Sequence, residues 1–71
     1  MIVKNLPRGK QGKLITDEIA YGCQFGHEVL LDAGTGFRVE EDHKLGKKIT
    51  VLDGPYANAS VALPANTTIE T

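Results

Sequence analysis

Cys23 and His27 are the two side chains whose types and spacing could support covalent chemistry, because a thiolate and an imidazole can act as nucleophile and base. Together with Asp42 and His43 they could also supply metal ligands. Nucleophilic catalysis needs a stabilised thiolate and a third group that orients the base, and the neighbouring sequence supplies neither. We therefore predict no catalytic residue and no metal site, with Cys23 as a buried structural residue and His27 at the surface.

The segment 9–13, Gly-Lys-Gln-Gly-Lys, combines glycines that free backbone amides with lysines that could contact phosphate. It does not match a P-loop, because Pro7 stands where the first glycine should be and Leu14 stands where Ser or Thr would hold magnesium. Two interpretations remain: a solvated loop, or a basic loop that binds nucleic acid phosphates. In the second, the contacting residues would be Lys4, Arg8, Lys10 and Lys13. No cofactor is predicted.

Charge is segregated along the chain, although the net charge is only -1. Four basic residues and no acidic one precede Leu14, whereas from Leu14 to Asp42 seven acidic residues face only Arg38. Such segments can pair within the fold or between subunits, so we predict self-association or a protein partner. We expect the partner to contact the basic loop 8–13 and an acidic loop 40–43, through Arg8, Lys10, Lys13, Glu40, Glu41, Asp42 and His43.

Apolar residues recur mostly at every second position, which is typical of half-buried strands. Strands are predicted at 1–6, 14–25, 28–31, 37–40, 47–52, 59–63 and 67–70, the last two as a possible pair, and 41–46 is predicted to be a polar loop. Phe37 and Val39 should face opposite to Arg38, and Ile49 and Val51 should point inward. These short strands predict an all-β chain, with residues 1–71 as one small curled barrel or sandwich of five to six strands. The barrel is favoured because closure removes exposed edges.

The segment 14–25 has two interpretations. Five residues of one parity are apolar and favour a strand: Ile15, Ile19, Tyr21, Cys23 and Phe25. A short helix beginning at Thr16 is the alternative, since three of the same residues are also spaced by four. Gly22 and Gly26 argue against the helix.

Two segments resemble parts of SH3-like barrels. Residues 29–39, Val-Leu-Leu-Asp-Ala-Gly-Thr-Gly-Phe-Arg-Val, resemble the second and third strands, and 62–70, Ala-Leu-Pro-Ala-Asn-Thr-Thr-Ile-Glu, resemble the segment that closes such barrels through a 3₁₀ turn. The resemblance implies an SH3-like barrel. The paired tryptophan and tyrosines that grip proline-rich ligands are missing, which argues against that mode of recognition.

Residues 28–39 are also similar to the late strand pair of ADP-ribosyltransferases of toxin and phage type. In that family the position matching Glu28 is the catalytic glutamate, so the resemblance implies a reduced NAD-binding relative. Gly26 stands where the family has a second Glu or Gln, and Ser60 is the only serine of the chain, so the family's Ser-Thr-Ser strand is absent.

The composition favours a small globular binding protein over an enzyme. With 41% hydrophobic and 24% charged residues, the 71-residue chain has the composition of a folded domain, and one small core leaves little room for a pocket. No apolar run approaches the roughly eighteen residues of a membrane span, and the first residues do not resemble a signal peptide. We therefore predict a cytoplasmic, non-enzymatic module that binds a protein partner or its own copies. A phage or mobile-element accessory protein that blocks a host factor would also fit.

Overall fold

Alternating apolar and polar residues produce seven β-strands and no α-helix in the computed structural model, which describes residues 1–71. A 3₁₀ helix at Val3–Asn5 precedes β1 (Gln11–Leu14), β2 (Glu18–Gly22), β3 (His27–Leu31), β4 (Gly36–His43), β5 (Gly46–Val51), β6 (Ser60–Pro64) and β7 (Ile69–Glu70). Every pair of neighbouring strands is antiparallel. The predicted all-β class is confirmed. The chain contains no helix that is long and apolar enough to cross a membrane.

All seven strands belong to one sheet, in the order β3-β2-β6-β5-β4-β1-β7. The hairpins β2–β3 and β4–β5 are joined through β6, which places Ala62 opposite Tyr21 on one side and Val61 opposite Ile49 on the other. The sheet is open, with β3 and β7 at its edges. It has more strands than the five to six predicted and is not closed into a barrel, so an SH3-like arrangement of its strands stays a prediction.

The sheet curls around a single apolar core. A cluster of thirteen buried residues fills its inner face, and Phe37, Ile49 and Leu63 are the largest fully buried side chains. Every strand of the single sheet and the 3₁₀ helix contribute side chains to this core. We infer that the sheet curls so that one sheet covers both sides of its own core.

The central hairpin β4–β5 follows the predicted alternation. Phe37 and Val39 are buried and Arg38 between them is exposed, while Ile49 and Val51 are completely buried. These inward positions are confirmed. The strands predicted at 59–63 and 67–70 are present as β6 and β7, the latter only at Ile69–Glu70. They do not pair with each other, because β7 pairs with β1 and β6 lies between β2 and β5.

The prediction of a strand at 1–6 is wrong. Apart from a single bridge between Ile2 and Thr68, this segment forms the 3₁₀ helix, in which the Asn5 N–H donates to the Ile2 carbonyl at 3.1 Å and the Leu6 N–H donates to the Val3 carbonyl at 3.0 Å. In a 3₁₀ turn, residues three apart lie on the same side. The turn therefore buries Val3 and Leu6 together, whereas a strand would place them on opposite faces.

The segment 14–25 is neither one strand nor a helix. A turn after Leu14 separates β1 from β2, and the apolar parity of β2 faces outward instead of into the core. Ala20 and Gly22 face inward, and a Cβ added to Gly22 would lie 2.7 Å from the Phe25 ring. The Phe25 ring and the His27 carbonyl oxygen of the same hairpin leave no room for a side chain at Gly22. The large residues Ile19 and Tyr21 lie on the outer surface.

The predicted polar loop 41–46 is wrong as well. β4 continues to His43, and a two-residue turn leads directly into β5 at Gly46. Gly46 has φ 147°, and a Cβ there would overlap the Leu63 carbonyl oxygen. Glycine at this position therefore lets the hairpin approach β6 closely.

Candidate functional site

The basic segment 8–13 is held against β4 by main-chain hydrogen bonds. The Gly9 N–H donates to the Val39 carbonyl at 2.9 Å, and the Val39 N–H donates to the Lys10 carbonyl at 2.8 Å. Arg8 and Lys10 are exposed beside this contact. Lys13 does not lie in the loop as predicted, because β1 includes it and places it opposite Glu70.

The acidic segment 40–43 is part of a strand, and two of its carboxylates have cations on the neighbouring strand. Lys47 Nζ lies 2.6 Å from Asp42 Oδ1, and Lys48 Nζ lies 3.8 Å from Glu40 Oε2. Glu40 also accepts a hydrogen bond from the Thr50 hydroxyl. The charge of this segment is therefore balanced largely within the β4–β5 hairpin.

The remaining acidic-segment residues are arranged differently. Glu41 is exposed, and His43 Nδ1 accepts a hydrogen bond from the Leu45 N–H at 3.1 Å. Arg8, Glu40 and Glu41 line one surface depression of about 360 Å³, so the structure brings part of the two predicted partner-binding segments together. Neither of the chain's two ion pairs joins these segments.

Cys23 and His27 do not form a nucleophile–base pair. Cys23 is half-buried, and its Sγ lies 3.9 Å from the Tyr21 carbonyl oxygen. The His27 ring stacks on Phe25 at 5.8 Å and places Nδ1 2.9 Å from the Glu28 carbonyl oxygen. No group of three or more His, Cys, Asp or Glu side chains could hold a metal ion.

Glu28 lies on the exposed side of β3, opposite Tyr21. The two strands that resemble the ADP-ribosyltransferase pair are β3 and β4, and four strand spacings separate them in the sheet. Glu28 shares a small depression of about 210 Å³ with apolar residues of β2 and β6.

Four large apolar side chains on the outer face of the sheet form the outer apolar patch, which sequence reasoning missed. They are Ile19, 58% exposed, Leu30, 55%, Leu45, 49%, and Tyr21, 38%. Ile19 lies opposite Leu30, and Ile19, Tyr21 and Leu45 border one depression with Ala62 and Pro64. Large apolar residues scattered singly on a surface are ordinary, whereas adjacent ones indicate an interaction surface.

One signal in the sequence did point to this patch. Val29, Leu30 and Leu31 are three consecutive apolar residues, and a strand sends successive side chains to opposite faces. Whichever parity is buried, at least one of them must face outward. In the structure Val29 and Leu31 are buried and Leu30 is exposed.

The largest depression, about 430 Å³, lies at the other end of the sheet and is lined mainly by polar residues and glycines. Lys13, Asp53 and Glu70 are among its lining residues, and Leu52 is its one hydrophobic residue. Small-molecule sites are concave and lined predominantly by hydrophobic side chains, which this open surface depression is not.

Comparisons with protein-family models, with curated proteins and with solved structures find no match for this chain. Its function has to be inferred from its own residues.

Proposed function

We propose that this chain is a non-enzymatic binding module of the cytoplasm, which acts through protein–protein interaction or self-association. The outer apolar patch is its contact surface. The single observation that carries the proposal is the adjacency of Ile19, Tyr21, Leu30 and Leu45 on one solvent-facing side of the sheet. The proposal includes an SH3-like arrangement of the sheet, which its curl and its short strands support.

The energetics of apolar burial favour a partner on this surface. Fully burying a Leu or Ile side chain stabilises a complex by about 1.5–3 kcal/mol before the costs of association, and half of that area is still open at Ile19 and Leu30. Interface cores are depleted of charge and rich in aromatic residues. Glu28 is the one charged residue that borders the depression beside the patch, and Tyr21 supplies an aromatic ring there.

The test compares the wild-type chain with the double variant Ile19→Thr/Leu30→Thr by light-scattering mass and by affinity capture from a native lysate. We expect the wild type to form an oligomer or to retain a discrete protein, and the double variant to lose that association. Leu52→Thr is the matched control, because Leu52 is also an exposed leucine but lies outside the patch. The proposal is overturned if the wild type is monomeric and retains nothing. It is also overturned if the wild type and the double variant associate equally.

A second candidate function is nucleic-acid binding, and one cluster of cations favours it. Lys4 from the 3₁₀ helix lies beside the β4–β5 turn, where it lines a depression of about 390 Å³ with His43, Lys44 and Lys47. Lysines from two separate segments can contact successive phosphates. Asp42 pairs with Lys47 and offsets part of this charge.

Fluorescence polarisation with a labelled single-stranded oligonucleotide tests this candidate. We expect an affinity that falls steeply with salt and that Lys4→Ala/Lys44→Ala weakens. Lys10→Ala/Lys13→Ala distinguishes this cluster from the basic segment 8–13. An affinity unchanged between low and moderate salt rejects the candidate.

A further inference from the structure

The hydrogen bonds of β2 determine which main-chain N–H and C=O groups of β3 point to its outer edge. The Cys23 N–H donates to the Ser60 carbonyl at 3.2 Å, in the same register that places Tyr21 opposite Ala62. In an antiparallel strand the N–H and C=O of one residue point to the same side, and successive residues alternate. The groups of Tyr21 therefore face β6, and those of Ala20 and Gly22 face β3.

The same alternation continues into β3. Val29 lies opposite Ala20 and His27 lies opposite Gly22, so the main-chain groups of both residues face β2. Those of Glu28 and Leu30 must then point away from the sheet, where no strand follows. The His27 ring nitrogen contacts the Glu28 carbonyl oxygen at 2.9 Å, as expected for an oxygen at an open edge.

This edge is the longer of the two open edges of the sheet. β3 has five residues, whereas β7 has two. Exposed edges of natural sheets are commonly protected by charged residues, above all lysine, or by prolines or bulges, and Glu28 is the only such feature of β3. The edge carries Leu30, which belongs to the outer apolar patch, and the carboxylate of Glu28 on the same face.

The charged residues of the β2–β3 hairpin and its flanks are all acidic. No Lys or Arg occurs between Lys13 and Arg38, and four acidic residues lie in or beside the β2–β3 hairpin: Asp17, Glu18, Glu28 and Asp32. Both ion pairs of the chain lie in the β4–β5 hairpin and involve none of them. The hairpin therefore presents together the edge-facing N–H groups of Glu28 and Leu30, the edge-facing carbonyl of Leu30, an apolar side chain and negative charge that no ion pair offsets.

We propose that the β3 edge binds an extended, basic segment of a partner protein, which adds to the sheet as a further strand. The partner segment carries Lys or Arg beside Glu28 and an aliphatic residue beside Leu30, two positions away on the same face. This inference rests on the proposed function and specifies its partner. The main-chain groups provide affinity, and the alternation of basic and apolar side chains provides specificity.

A second copy of this chain fits the edge less well. Pairing β3 with β3 of another copy brings the acidic residues of two hairpins to one seam with no cation between them. Like charges at an interface cost several kcal/mol. A basic strand removes this repulsion and gains an attraction instead.

The test uses a seven-residue synthetic peptide with Lys at its second and sixth positions, Leu at its fourth and Thr elsewhere. Amide hydrogen exchange is measured by NMR on the full chain with and without this peptide. We expect exchange of the Glu28 and Leu30 amides to slow by about tenfold or more, and that of Val29, whose N–H already faces β2, to change little. The control peptide carries Glu in place of Lys and should give no protection.

Three variants separate strand addition from attraction between opposite charges. Leu30→Pro removes the edge-facing N–H without removing a hydrogen bond to β2, and should abolish protection of Glu28. Leu30→Thr keeps that N–H and should retain partial protection. Glu28→Lys, which does not depend on the proline variant folding, should reverse the preference toward the Glu peptide.

The outcomes are distinguishable from those of the proposed function. Equal effects on Glu28, Val29 and Leu30, or no effect on any of them, overturn the inference. If Ile19→Thr/Leu30→Thr still abolishes association in that case, the proposed function stands without strand addition. Protection that appears with protein concentration alone, without peptide, identifies a second copy as the occupant and also overturns the basic-strand proposal.

Discussion

Ile19 and Leu30 lie directly opposite each other on the antiparallel strands β2 and β3, and more than half of each side chain is exposed to solvent. A cross-strand aliphatic pair of this kind normally stabilises a sheet by covering the core. Here the core lies on the other face, where Ala20 and Val29 form the adjacent buried pair. The outward pair is therefore free to contribute to an interface.

Replacing both outward residues should hardly affect folding. For Ile19→Thr/Leu30→Thr we expect a free energy of unfolding within about 0.5 kcal/mol per site of the wild type, because both side chains are largely exposed and threonine suits a strand. Urea denaturation followed by circular dichroism measures the change. Ile49→Ala provides the contrast, since Ile49 is completely buried and its truncation should cost about 2–5 kcal/mol.

Gly46 and Gly9 should respond very differently to alanine. Both have positive φ, 147° and 88°, but a Cβ on Gly9 meets nothing within 4 Å, whereas one on Gly46 overlaps the Leu63 carbonyl. We expect Gly9→Ala to cost about 1–2 kcal/mol from the backbone conformation alone. Gly46→Ala should cost about 4 kcal/mol or more. Similar midpoints of urea unfolding for the two variants would contradict the close approach of β5 to β6.

Removing the hydroxyl of Thr67 should stabilise the folded chain. The residue is buried, and its Oγ1 has no hydrogen-bond partner in the protein, which is a cost that the folded chain carries. Thr67→Val keeps the shape and deletes the unpaired group, so we expect it to raise the free energy of unfolding by about 1 kcal/mol. Thermal melts test this. Thr67→Ser is the control, because it keeps the hydroxyl and loses the methyl group, and it should lower the melting temperature.

NAD should leave the melting temperature of this chain unchanged. Glu28 is exposed on an edge strand, and the depression beside it measures only about 210 Å³. A thermal-shift titration to millimolar NAD gives the result directly. A rise in the melting temperature that Glu28→Ala removes would favour the ADP-ribosyltransferase resemblance over the non-enzymatic proposal.

The sequence predicts the central hairpin well and the β2–β3 hairpin poorly, for a physical reason. In β4 and β5 only one parity is apolar, so Phe37 and Ile49 could be assigned to the core without knowing their neighbours. In β2 the large apolar parity is the outward one, and the inward positions are Ala20 and Gly22. Which parity faces the core depends on how strands from distant segments pair, and the local alternation does not encode that.

The candidate site, like the fold, is predicted from the sequence only in part. The acidic segment was recognised from its charge, but the pairing of Asp42 with Lys47 depends on the tight turn before Gly46, which was predicted to be a longer loop. The basic segment 8–13 was placed correctly only in part, since Lys13 belongs to β1. The edge of β3 could not be predicted at all, because it depends on the order of strands in the sheet.

The position of β6 between the two hairpins has a consequence for the speed of folding. Each hairpin closes within its own stretch of chain, which takes about 1–10 μs. The two hairpins can join only after Ser60–Pro64, which is distant from β2 in sequence, has docked between them. Ala62 then pairs with both Tyr21 and Lys48. Because closing such a long loop costs entropy before any contact is gained, this chain is expected to fold on the millisecond-to-second timescale of β-rich domains despite its small size.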